Sequence, residues 1–81
     1  MERQEIEKRV KQVVSRILRI DESMIEPSSH FVFDLGAEST QSIELVDAFE
    51  QEFDIEMDRE AALAVKTVGE AVDFIAGYVA R

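Results

Sequence analysis

Apolar residues recur at helical spacing in three separate stretches of this 81-residue chain, and each stretch leaves one stripe that must be buried. In residues 2–18 the stripe is Ile6, Val10, Val13, Val14 and Ile17, with Arg3, Lys8, Arg9, Lys11 and Arg16 on the other faces. Glu5–Arg9 and Glu7–Lys11 stand four apart in the favourable order, each pair adding about 0.2–0.5 kcal/mol. In residues 39–53 the stripe is Ile43, Val46, Phe49 and Phe53, flanked by Leu45 and Ala48. In the last stretch Val68, Ala71, Val72, Ile75 and Val79 follow Thr67-Val68-Gly69-Glu70, which reads as a capping box. A shorter segment, residues 60–65, is expected to add one brief helix with Ala62, Leu63 and Val65 facing inward. These elements predict an all-α, small four-helix bundle of three long helices and one short one, formed as a single domain over residues 1–81.

Between the first two helices, from Arg19 to Ala37, the periodicity is lost. Asp21-Glu22-Ser23-Met24 can start one helical turn, and Pro27-Ser28-Ser29 breaks any regular element. Ile20, Ile25, Phe31 and Leu35 are spaced as anchors pinning this long loop to the core, and a loop of such length often signals function. Phe33 is either core or a contact surface beside the acidic turn that follows it. His30, the only histidine, is expected to be a solvated loop residue, since no second His, Cys or triad partner accompanies it.

The chain has no cysteine, which excludes disulfides and thiolate zinc sites. Its apolar runs fall short of the roughly 20 residues a spanning helix needs. The N-terminus lacks the apolar core of a signal peptide, so a soluble cytoplasmic protein is expected. Residues 54–60 alternate acid with other residues, but the sixth position of the would-be calcium loop is Arg59, not glycine, and the twelfth is Val65, not glutamate. No metal site and no catalytic set is indicated, and a bundle of this size has little room for a substrate pocket.

Charge is distributed unevenly. Residues 1–20 carry six Lys/Arg against three Glu, whereas residues 21–60 carry thirteen Asp/Glu against Arg59 alone. Such a field repels nucleic acid and anionic membrane and draws in basic protein surfaces, although it also serves simply to keep a surface solvated. Glu50 and Glu52 lie near the unfavourable C-terminal end of the second helix, which favours a partner-binding role over a local one. Ser39, at the start of that helix after a glycine turn, has the position of a helix cap.

Taken together, Phe31, Asp34-Leu35-Gly36-Ala37, Ser39, Ile43-Glu44-Leu45-Val46, Glu50-Gln51-Glu52-Phe53-Asp54-Ile55-Glu56, Thr67-Val68 and Ala71-Val72-Asp73-Phe74-Ile75 resemble the acyl carrier protein family over the whole chain, without insertion or deletion. The resemblance implies that Ser39 carries 4′-phosphopantetheine, placed there by a phosphopantetheinyl transferase from coenzyme A, and that the chain is not itself an enzyme. It implies a monomeric partner of acyl-loading and acyl-processing enzymes with basic patches. Their contacts would be Glu38, Thr40, Glu44, Asp47, Glu50 and Glu56, and the acyl chain would lie against Val46, Phe49, Ala62, Leu63 and Ile75. The family's usual Asp-Ser-Leu triplet is Glu38-Ser39-Thr40 here, and Gln41, Gln51 and Phe33 stand where acids are frequent. Thr for Leu removes an apolar contact worth on the order of 1–2 kcal/mol. These departures point to a specialised carrier in fatty-acid, lipid or polyketide synthesis. An aminoacyl or peptidyl carrier and an unmodified helical adaptor of the same fold are the alternatives.

Overall fold

The computed structural model describes residues 1–79. Four helices follow in order, α1 Arg3–Leu18, α2 Ser39–Phe53, α3 Arg59–Leu63 and α4 Val68–Val79, with a single 3-10 turn at Glu22–Met24 in the first connection. The long apolar stripes determine the packing: α1 lies against both α2 and α4, and α3 rests on α2. Ile6, Val10, Val13 and Val14 are fully buried on α1, facing Val46, Phe49 and Phe53 of α2 and Val68, Val72 and Ile75 of α4 within one core. None of the described helices is long and apolar enough to cross a membrane.

The chain supplies stops after α1 and α2 and caps at the starts of the 3-10 turn and α4. Arg19 and Asp54 adopt left-handed conformations (φ 57° and 54°) after α1 and α2, and their N–H groups return to carbonyls of Ser15 and Glu50. Asp21 caps the 3-10 turn by accepting the Ser23 N–H at 3.0 Å, which holds its carboxyl below the usual carboxylate range. Thr67 accepts the Glu70 N–H at 3.2 Å, while Glu70 reaches back one residue further than the simple box predicts, to the Lys66 N–H at 3.0 Å.

The long connection is stitched down rather than loose. Ile25 and Phe31 are buried and Ile20 and Leu35 half-buried, as their spacing implied. Residues 27–31 then run beside the start of α4: Phe31 N–H donates to the Lys66 carbonyl, Val68 N–H to Ser29, and Gly69 N–H to Pro27. At Gly69 a β-carbon would sit 3.0 Å from the Pro27 carbonyl oxygen, so a glycine allows this close approach.

Two expected core positions are not core. Ile43 is 48% exposed and Leu63 49% exposed. The buried face of α2 is centred on Leu45, Val46, Phe49 and Phe53, which rotates Ile43 to the edge of the stripe. Helix α3 starts one residue earlier than expected and stops at Leu63, so Ala62 and Val65 are only half-buried and Leu63 turns to the rim.

Candidate functional site

The turn ahead of α2 is held by His30. Its Nδ1 accepts the N–H groups of both Val32 and Phe33 at 3.1 Å, and its own N–H donates to the Asp34 carboxylate at 2.7 Å. This is the geometry by which Ser or Asp caps a turn, so His30 is a structural acceptor rather than a solvated bystander. Its ring lies 4.4 Å, centroid to centroid, from that of Phe33, which is otherwise 85% exposed. Phe33 is therefore surface, not core. His30→Ala is expected to cost about 1 kcal/mol of stability in urea unfolding, and His30→Ser to recover most of it by restoring an acceptor. Equal losses in both variants would show that ring stacking, not the acceptor, holds the turn.

Gly36, at φ 72°, then reverses the chain, and buried Ala37 donates its N–H to the Phe31 carbonyl at 2.8 Å. This delivers Glu38, not Ser39, to the cap position of α2. Glu38 and Gln41 form a capping box, with the Glu38 N–H donated to the Gln41 side-chain oxygen at 2.9 Å. Ser39 is consequently the first residue of the helix, exposed, and its hydroxyl is committed to no hydrogen bond among the described residues. Of the neighbouring hydroxyls, Thr40 is exposed on the same turn, whereas Ser42 donates to the Glu38 carbonyl at 3.3 Å. Among the described residues, the Ser39 and Thr40 N–H groups have no partner at the helix start, where anions are favoured.

The expected acidic contacts fall into two groups. Glu38, Glu44 and Glu56 are exposed. Asp47 and Glu50 both bind Arg59 of α3, Glu50 at 3.2 Å, and the Asp47 carboxylate beside it pushes the Arg59 guanidinium further toward its charged form. Glu50 also accepts the Met57 N–H at 2.8 Å, and Glu52 lies 3.8 Å from Arg9. The acids near the end of α2 thus have intramolecular partners after all: residues 55–59 fold back over Asp47 and Glu50, and α1 brings Arg9 beside Glu52. Arg59 was legible as the only cation in residues 21–60, but nothing local in the sequence showed where it turns.

A cavity of about 440 Å³ runs between α2, α3 and α4, so the bundle has more room than its length implies. Val46, Phe49, Ala62, Leu63 and Ile75 all line it. Its wall is overwhelmingly apolar, and the exposed lining residues Val32, Phe33, Leu63 and Lys66 mark its opening. Ser42 also lines it, one helical turn beyond Ser39. Among the described residues, no group of three or more His, Cys, Asp or Glu could hold a metal ion.

With the exposed serine after a glycine turn and an apolar cavity beside its helix in view, comparison with known proteins decides the family. The model of the family described as phosphopantetheine attachment site matches residues 8–75. The chain belongs to that family. A solved structure from Mycobacterium tuberculosis assigned as an acyl carrier protein matches it with a TM-score of 0.84 at 33% sequence identity, covering 90% of this chain and 97% of that one. Carrier domains of this family are the sites of covalent 4′-phosphopantetheine attachment, and they interact with phosphopantetheinyl transferases and acyl-processing enzymes. Such domains are not themselves catalytic. The four-helix carrier fold read from the sequence is the fold observed.

Proposed function

We propose that this chain is a specialised acyl carrier, working as one cytoplasmic, monomeric domain over residues 1–81, with the arm on Ser39. The observation that carries the reading is the division of labour at the start of α2. Capping is assigned to Glu38 and Gln41, which leaves the Ser39 hydroxyl exposed and uncommitted next to unpaired N–H groups suited to a phosphodiester. Ser39 supplies the nucleophilic oxygen in its own modification, and the transferase supplies the base. The arm, when bound, contributes a terminal thiol that holds acyl groups as thioesters, chemistry that a chain with no cysteine lacks.

The cavity supports an acyl cargo over an aminoacyl one. An ammonium group placed against Val46, Phe49 and Ile75 would lose hydration against an apolar wall, a cost an alkyl chain avoids. Specialisation is supported by Thr40 and Phe33, both exposed beside Ser39. A partner that normally buries a leucine at the Thr40 position loses about 1–2 kcal/mol, or roughly 5–30-fold in affinity. The expected result is that a broad-specificity transferase with coenzyme A and Mg²⁺ adds one arm, seen as a gain in intact mass. General fatty-acid enzymes should then process the loaded carrier more slowly than their own. Normal processing rates would overturn the specialisation, and absence of a mass gain would overturn the carrier reading.

A further inference from the structure

Helix α2 is acidic in sequence but much less so in its unsatisfied charge. Its four acidic side chains are Glu44, Asp47, Glu50 and Glu52, and it contains no Lys or Arg. Asp47 and Glu50 share the Arg59 guanidinium, and Glu52 lies 3.8 Å from Arg9. Glu44 alone has no cationic partner among the described residues. Arg59 offsets one of the two charges on Asp47 and Glu50, so Glu44, in the Ser39 half of the helix, is the acid left without a neighbouring cation, whereas the sequence spreads acids along the whole length.

Arg59 has no evident role in its own helix. It is the first residue of α3, at the end where a helix dipole favours anions and disfavours cations. Its side chain instead crosses to α2, where one terminal guanidinium nitrogen donates to the carboxylates of both Asp47 and Glu50, acceptors that an incoming arginine would also seek. Arg59 and Asp47 are each about half exposed, with side-chain exposures of 52% and 51%, so the pair is open to competition from solvent and from partners. Exposed pairs of this kind are weak, and a partner's cation can displace one only at the expense of part of its own contact energy.

We propose that Arg59 is an internal competitor for partners' cationic side chains, masking Asp47 and Glu50 so that partners dock by a short contact at the Ser39 end of α2. This rests on α2 being the docking helix of the carrier. The fitting partner presents one compact cation-bearing patch to Glu44, with apolar surface for Phe33 on the neighbouring turn, and not a long basic ridge. A partner built for a ridge meets carboxylates already occupied. Arg59 is in this sense a specificity-determining residue, acting by exclusion.

The test compares wild type with Arg59→Gln and with Arg16→Gln, using a hexa-arginine peptide as probe at low salt. Arg16 is exposed on α1 without an ion pair among the described residues, so its substitution makes the same change in net charge elsewhere. Arg59→Gln is expected to bind the peptide about two- to fivefold tighter than wild type, the scale of one surface ion pair, with the gain lost at high salt. Arg16→Gln should gain clearly less, and adding Asp47→Asn to Arg59→Gln should remove most of the gain. Equal gains for the two arginine variants, or a gain that survives Asp47→Asn, would overturn the proposal. A second readout is the transferase reaction, where Arg59→Gln should lower KM for a basic-ridged transferase and leave kcat unchanged. The peptide measurement needs no arm. A chain that never gains mass with the transferase therefore refutes the carrier reading, while the peptide series still decides the masking.

Discussion

Ser39→Ala is expected to abolish attachment of the phosphopantetheine arm completely while changing folding stability by no more than about 0.5 kcal/mol. The two halves of this expectation have one physical origin. A serine at a helix start ordinarily contributes to stability through its cap, and its removal then costs about 1 kcal/mol. Here Glu38 occupies the cap position with Gln41 closing the box, so Ser39 is exposed and makes no side-chain hydrogen bond among the described residues. Alanine is at least as good a helix former in the first turn. Urea unfolding and intact mass after incubation with transferase and coenzyme A measure the two effects separately. A loss of 1 kcal/mol or more would show that the hydroxyl caps the helix after all.

Phe49→Ala should have the opposite profile, leaving Ser39 untouched and removing much of the stability. Phe49 is 5% exposed, sits in the central core and forms part of the cavity wall. Phe→Ala at such a site costs about 3–5 kcal/mol. An 81-residue domain has only roughly 4–12 kcal/mol in total at 0.05–0.15 per residue. The variant is expected to be substantially weakened, with its urea midpoint shifted far down and part of the population unfolded at physiological temperature. Phe49→Leu conserves more volume and should lose no more than about 1.5 kcal/mol. If Phe49→Ala costs under 1 kcal/mol, the existing cavity collapses on the site and the wall is softer than the packing implies.

The helices were readable because each long one carries a stripe that only burial can satisfy. Those stripes identified Val10, Val46, Phe49 and Ile75 as core, and the glycine turn placed Ser39 at the start of α2. What the residues alone concealed depends on side chains meeting across the fold. Ile43 matched the helical period, yet the face of α2 turned toward α1 leaves it half exposed. Glu50 seemed locally unexplained because its partners, Met57 N–H and Arg59, come from the segment that folds back over it. His30 lacked the partners that catalysis needs, but an acceptor directly before a tight turn was a usable signal for capping. The cavity was the furthest from view, since five lining residues read equally well as plain core when only their spacing is known.

The most direct measurement is the position of the arm on protein purified from cells that also express a broad-specificity transferase, read by tandem mass spectrometry of the peptide containing residues 38–44. Three hydroxyls lie within little more than one helical turn there, on Ser39, Thr40 and Ser42. The carrier assignment predicts one phosphopantetheine per chain, on Ser39 only. An arm on Thr40 or Ser42, or a chain that emerges unmodified beside a control carrier that is fully loaded, would contradict it.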